Sequence, residues 1–361
     1  MYILVMKSEN FEKIIEQWQK MQPISDFDKN RLARRFSIEF NYNSNHIEGN
    51  TLTYGQTELL LFFGMVAGEA KINDLEEMKA SAVTVKMTQT AIEEKQDLLT
   101  QSFIRQLHKT LLREDYVVHY IMPNGQPSTY TIHAGRYKTR PNSVISRYGA
   151  RFDYASPEET PSLMSDLVNW YNEEEQKGEL TPVELAALFH YRYIRIHPFE
   201  DGNGRIARLL VNYILARHGY PMIVVRSRKK DDYLDALHQT DMLVGPAPSD
   251  GAKATIKQIR YFLNYLKKMV AKEIKANIDF VQEHSPNIWW FDGERITFRS
   301  ENSTKILEEL QKNPAITYRE LKNKIGINLS AIQKQLKLMQ SKGYILKTAN
   351  NEWHVSIIQS E

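Results

Sequence analysis

The chain has 361 residues, 47 Lys and Arg against 44 Asp and Glu, a formal net charge of +3 and no cysteine. That length leaves room for two or three domains with a sizeable core, and so small a charge surplus does not by itself imply a nucleic-acid partner. Without cysteine there is neither a disulfide nor a thiolate metal site, which suits a reducing, cytoplasmic setting. The opening run Met1-Tyr2-Ile3-Leu4-Val5-Met6 is too short for the apolar region of a signal peptide. No stretch of about 18 apolar residues offers a membrane span.

Helical periodicity dominates, so the chain reads as mainly all-α. Residues 1–50 read as helices that end at Asn43-Ser44-Asn45-His46-Ile47-Glu48-Gly49-Asn50. Thr57 to Phe63 and Leu75 to Ile92 follow, with Gly64 and Gly68 breaking the chain between them. Ser102 caps a helix to Leu112, in which His108 reads as a structural histidine. Gly135-Arg136-Tyr137-Lys138-Thr139-Arg140-Pro141-Asn142-Ser143-Val144-Ile145-Ser146 mixes turn formers with β-branched residues and reads as a hairpin. Pro161 to Glu175 is amphipathic, with Leu163, Leu167 and Trp170 inward, and its acidic end is a solvated face.

The next helix has a sharp start: Thr181 as N-cap, Pro182 at the first helical position and Glu184 completing a capping box. Pro198 excludes helical geometry at His197 and ends that helix near Ile196. A second helix runs from about Arg205 to His218, stopped by Gly219. Further helices are expected over Lys229–Leu237 and Ala254–Val281. A boundary falls at 283–298, where Ser285-Pro286-Asn287 and Phe291-Asp292-Gly293 look like linker. Beyond it come helices over Ser303–Gln311 and from Thr317 to Lys324. A third, capped by Asn328 or Ser330, reaches Lys342, and a small hairpin forms around Asn350-Asn351. Three helices and a hairpin resemble a winged helix-turn-helix. The expected segments are therefore 1–95, 96–282, a linker over 283–298, and 299–361.

Between the two central helices lies His197-Pro198-Phe199-Glu200-Asp201-Gly202-Asn203-Gly204-Arg205-Ile206-Ala207-Arg208. A glycine-bearing loop feeding a helix N-terminus is an anion site, because free amides and the helix dipole both face outward there. Gly202 and Gly204 let a phosphate approach the backbone. Arg205 and Arg208, three apart, project from one face and can bind phosphate oxygens in pairs. Asp201 is a hard oxygen ligand suited to Mg2+. His197, with an ordinary pKa of roughly 6.5, can accept a proton near neutrality. Such a segment can hold a nucleotide polyphosphate and attack it.

It resembles the Fic motif, H-P-F-x-[D/E]-G-N-G-R-x-x-R, with every fixed position matched. The resemblance implies a Fic-domain helical core with a β-hairpin flap, and an enzyme that moves AMP from ATP to a Tyr, Ser or Thr hydroxyl of a protein. By matching position, His197 is the base and Asp201 the Mg2+ ligand. Gly202, Asn203 and Gly204 form the anion hole, while Arg205 and Arg208 hold the outer phosphates. Related Doc kinases carry Lys where this chain has Gly204 and transfer a terminal phosphate instead. Ser44, Glu48 and Gly49 match the inhibitory pattern [S/T]-x-x-x-E-[G/N], placed before the core as in class II members. Glu48 is then expected to pair with Arg208 and occupy the guanidinium meant for the γ-phosphate.

The segment after Gly135 resembles the Fic flap, with Val144, Ile145 and Ser146 as its target clamp, although Pro141-Asn142 lengthens the turn. Tyr233 lies where the family often has a tyrosine pair at the adenine pocket, with Leu234 replacing the second. Residues 299–361 hold 10 Lys and Arg against 6 Asp and Glu, and Gln333, Lys334, Lys337 and Gln340 fall on the outer side of the third helix. Winged helices in Fic proteins also act as interaction or dimerisation modules, so DNA, another protein and a second copy all stand as partners. The other functions left open are UMP transfer, removal of AMP, and a DNA-binding regulator that uses the Fic core as a sensor.

Overall fold

A computed structural model describes residues 8–94, 98–122, 125–145, 151–348 and 351–355. In chain order the described residues form α1 (Ser8–Lys20), α2 (Asp26–Ile47), α3 (Tyr54–Phe63), α4 (Ile72–Glu93), α5 (Gln101–Leu112), β1 (Tyr116–Ile121), β2 (Pro127–Ile132), β3 (Ser143–Ile145), β4 (Arg151–Asp153), α6 (Thr160–Lys177), α7 (Pro182–Ile196) and α8 (Asn203–Arg217). These are followed by α9 (Lys230–Val244), α10 (Pro248–Ala252), α11 (Arg260–Gln282), β5 (Ile288–Phe291), β6 (Glu294–Thr297), α12 (Glu301–Lys312), α13 (Tyr318–Ile325), α14 (Leu329–Ser341), β7 (Ile345–Lys347) and β8 (Trp353–Val355). The strands make four separate antiparallel pairs, each between neighbours in sequence. The fold is mainly α, as the periodicity implies.

Contacts group the chain into two units, one of residues 1–22 and 80–274 and the other of 23–79 and 275–361. The first is built on α7 and α8, which pack along one another and bury Ala186, Phe189, Tyr193, Ile206, Leu210 and Ile214 completely. In the second, α2 and α3 share one core with the C-terminal helices: Ile38 and Tyr54 lie among Trp289, Phe291, Leu307, Leu310 and Leu336. Polar contacts fix α2 within this unit. Arg35 Nε donates to Glu39 Oε1 at 3.1 Å, the same oxygen accepts from the Gly293 N–H, and Asn43 Nδ2 donates to Asp292 Oδ1.

Several local expectations change. The cap of α5 is Thr100, whose side chain accepts from Phe103 N, and not Ser102. Residues 135–145 do not fold back as a hairpin; they contribute only β3, which pairs with β4 in the register Ser143 to Asp153. Ser146 lies outside the described residues. A longer hairpin, β1 with β2, precedes it. Asn124-Gly125 between two alternating runs is its sequence signal, of the kind that favours tight hairpins. Helix α11 begins at Arg260, after a separate turn in which Gln258 Oε1 accepts from Thr255 N at 2.8 Å. The stretch expected as linker carries the β5–β6 hairpin, with Phe291 and Trp289 facing inward on alternate residues and Asp292-Gly293 as its turn. In the winged-helix segment Thr317 and Asn328 are the caps, and Asn328 rather than Ser330 receives the Ala331 N–H.

Leu307 is fully buried at the centre of the second core. Leu307→Ala should lower the unfolding free energy by about 2–5 kcal/mol, the range for a leucine deleted from a packed core, measurable by urea denaturation.

Candidate active site

The local sequence explains why α7 stops where it does. Thr181 and Glu184 cap its start reciprocally, and its end is His197, held at φ 51° and ψ 61°. Left-handed geometry is uncommon for a residue with a Cβ, and Pro198 disfavours the helical alternative. The chain then turns through Phe199, whose N–H donates to Asn203 Oδ1 at 3.0 Å while Asn203 Nδ2 donates back to its carbonyl at 2.7 Å. Gly202, at φ 73°, is the N-cap of α8 and supplies no side-chain cap. A Cβ there would lie 3.3 Å from Leu111 in addition to the backbone strain. The first amides of α8 therefore have no intrahelical acceptor and no capping side chain, which leaves them suited to an anion.

His197 sits at the mouth of this turn with its ring stacked on Tyr154, centroids 3.9 Å apart and planes 15° apart. Burial, seconded by the nearby Lys138 ammonium, pushes its pKa down from about 6.5 to about 3, against weaker opposition from the Ile194 carbonyl and Asp201. The imidazole is therefore neutral, with one ring nitrogen unprotonated, and is a weaker base in this surrounding than an exposed imidazole. At Asp201, burial favours the neutral acid. The Arg205 guanidinium, the Tyr116 hydroxyl and the Gly202 N–H outweigh it and hold the carboxyl below its ordinary range. Arg205 Nη2 lies 3.3 Å from Asp201 Oδ2. Arg208, one turn further along α8, is buried, and its charge adds to burial in lowering the His190 pKa to about 3.

Residues far off in sequence hold this loop. His108 stacks on Phe199 at 3.7 Å with the planes 3° apart. Its Nδ1 accepts from Gly135 N at 2.9 Å, so its Nε2 carries the proton and donates to the Asp201 carbonyl at 3.0 Å. Lys138 donates through Nζ to the Ile196 carbonyl at 3.1 Å and through its backbone N–H to the Pro198 carbonyl at 2.9 Å. Thr139 bonds Glu200, and Asn142 Nδ2 donates to the Phe199 carbonyl. None of these roles is readable from the motif, because each depends on a tertiary contact. The one available signal was His108 on an otherwise apolar helix face.

The structure thus brings His197, Asp201, Gly202, Asn203, Gly204, Arg205 and Arg208 into a single turn and the helix that follows it. Tyr233, on α9, is buried among Phe262 and Tyr265, with its hydroxyl 3.0 Å from His190 Nε2. Val144 and Ile145 lie on β3. Ser44 is buried in the last turn of α2. Glu48 follows that helix, its N–H bonded to the Asn45 carbonyl at 3.0 Å, and Gly49 takes the positive φ of 101° that the turn needs. For Mg2+ the donor set fits. Among the described residues no three His, Cys, Asp or Glu converge into a cage, while Mg2+ commonly uses one or two carboxylates and takes its remaining ligands from phosphates and water.

Comparison with known proteins agrees with this geometry. Residues 98–215 match the Fic/DOC family, and residues 299–345 match a winged helix-turn-helix DNA-binding family. A Fic domain containing signaling protein from Bacteroides thetaiotaomicron has a solved structure that is 52% identical with a TM-score of 0.71, over 76% of this chain and 98% of that one. Protein adenylyltransferase fic-1 of Caenorhabditis elegans is 30% identical over 281 residues, 77% of this chain and 49% of that protein. Protein adenylyltransferase Fic of Nematostella vectensis is 28% identical over 238 residues, 65% of this chain and 51% of that protein. The chain spans about half the length of these curated relatives. It belongs to the Fic/DOC family and carries a C-terminal winged helix-turn-helix domain.

Three histidines in the first unit, His108, His190 and His197, have pKa values lowered by burial to about 4, 3 and 3. Their neutral forms stabilise the fold fully above the unfolded value of roughly 6.5, and that contribution is lost as pH falls toward the folded values. The melting temperature should therefore drop as pH is lowered from about 7 to 5. Over the same range the His197 ring nitrogens, followed by NMR, should keep the shifts of a neutral imidazole.

Proposed function

We propose that the chain transfers AMP from ATP to a Tyr, Ser or Thr hydroxyl of a protein, itself among the substrates. One arrangement carries the reading: a neutral His197 imidazole beside the uncapped N-terminus of α8, with Arg205 and Arg208 on that helix. The relatives named protein adenylyltransferases support it. In the reaction, His197 takes the proton of the acceptor hydroxyl as that oxygen attacks the α-phosphorus. The bond from the α-phosphorus to its bridging oxygen breaks, and pyrophosphate leaves. The amides of Asn203 and Gly204 receive the charge that develops, with Gly202 opening the backbone there while its own N–H stays on Asp201, and Arg205 and Arg208 hold the outer phosphates. Gly204 leaves space for a triphosphate bound in this direction. Asp201 would hold Mg2+, which would supply positive charge to offset that of the phosphates.

Tyr233 would wall the adenine pocket, and Val144, Ile145 and Ser146 would align a target segment by strand addition. Glu48, with Ser44 beside it on the same helix end, acts as a built-in brake by pairing with Arg208. An α-phosphate displaced by about 1 Å loses on the order of 100-fold in rate. The winged helix is read as a DNA-binding module. Gln333, Lys334, Lys337 and Gln340 are all exposed on one side of α14, and the matching family is one of DNA-binding domains.

Intact-mass measurement tests the reaction. With ATP and Mg2+, the Glu48→Gly variant should gain the mass of one AMP faster than the parent, and adding His197→Ala should abolish the gain. Equal rates in Glu48→Gly and the parent would refute the brake, and a gain that survives His197→Ala would refute the base. DNA binding by the full chain should weaken steeply with salt, and Lys334→Ala should flatten that dependence; a salt-independent signal would instead indicate a protein partner.

A further inference from the structure

The β1–β2 hairpin places its first residue against the carboxylate that the reading above makes the metal ligand. Tyr116 Oη donates to Asp201 Oδ2 at 2.8 Å. The same oxygen faces Arg205 Nη2 at 3.3 Å, and Oδ1 accepts from Gly202 N at 2.6 Å. An ionised carboxylate offers about four acceptor positions. Two on Oδ2 and one on Oδ1 are filled from within the protein, so the remaining position lies on Oδ1. A carboxylate left with one open position suits single-oxygen ligation of Mg2+.

Tyr116 is 37% exposed, and the backbone beside it is fixed by bonds at the base of the hairpin. Asp115 Oδ2 bonds His133 Nδ1 at 2.7 Å, and its Oδ1 accepts from Ala134 N at 2.8 Å, which closes the base of the hairpin. The next residue, Gly135, donates to His108, whose other nitrogen reaches the Asp201 carbonyl. Tyr116 therefore holds the Asp201 side chain directly, while Gly135 braces the histidine that holds the Asp201 carbonyl.

We propose that Tyr116 is a positioning residue of the metal site: it fixes the Asp201 carboxylate so that Oδ1 alone is presented to a divalent cation. The inference rests on the proposed role of Asp201, and the experiment separates the two. Mn2+, a spectroscopic substitute for Mg2+, is titrated into the full chain saturated with a non-hydrolysable ATP analogue, and free Mn2+ is followed by electron paramagnetic resonance. Tyr116→Phe keeps the ring and removes only the donor. It should weaken Mn2+ binding by about 10-fold, the lower end of the effect of losing a partner to a metal ligand. Affinity for the analogue in EDTA, and the melting temperature, should stay unchanged. Asp201→Asn should abolish the Mn2+ site. Unchanged or tighter Mn2+ binding in Tyr116→Phe, with Asp201→Asn inactive in binding, would overturn the positioning role alone. Mn2+ binding that survives Asp201→Asn would remove Asp201 as the ligand, and the inference with it.

Discussion

The pair of hydrogen bonds between Phe199 and Asn203 closes the turn from α7 to α8, the turn that carries Asp201 and leads from His197 into the first residues of α8. Asn203 satisfies the backbone of a buried residue, so the turn has one shape. A buried amide or carbonyl without a partner is costly, which makes alternative loop paths unfavourable. With the turn fixed, His197 projects at its start and Asp201 at its crest, while the first amides of α8 open at its end. Glycine at 202 is required because the chain passes there with positive φ, against Leu111 and His108.

Charge in the site is arranged by burial as much as by pairing. Desolvation keeps His197, His190 and His108 neutral, while Asp201 stays ionised because three donors face it. Every one of these groups is thus held without its proton, which leaves neutral imidazoles and an ionised carboxylate around one turn. His108 shows how the neutral form is used structurally. It accepts a hydrogen bond at one nitrogen and donates one from the other, a division of roles available only to uncharged imidazole.

The second unit has its own organising feature. Helix α2, which carries Ser44 and precedes Glu48, shares its hydrophobic core and its buried polar contacts with the C-terminal winged-helix region and the β5–β6 hairpin. The segment that carries Ser44 and Glu48 and the winged helix are thus parts of one compact unit, although about 250 residues lie between Asn43 and Asp292 in sequence.

Much of this molecule could be read from the chain itself. Capping boxes at Thr181 and Thr317, the stop at His197-Pro198 and the glycines of the motif act over three or four residues, and local sterics and hydrogen bonding decide them. The twelve-residue motif was legible for the same reason, since a turn and a helix N-terminus bring its groups together without help from elsewhere. Sequence failed where partners are distant or where short apolar runs fit several structures: the β1–β2 hairpin, the β5–β6 hairpin mistaken for linker, and the start of α11. Only the tertiary fold could show that Tyr116, Lys138 and His108 converge on the motif, or that residues 23–79 share a core with residues 275–361. Such contacts are chosen by burial and by the need to satisfy buried polar groups across the whole domain, and no local pattern encodes that choice.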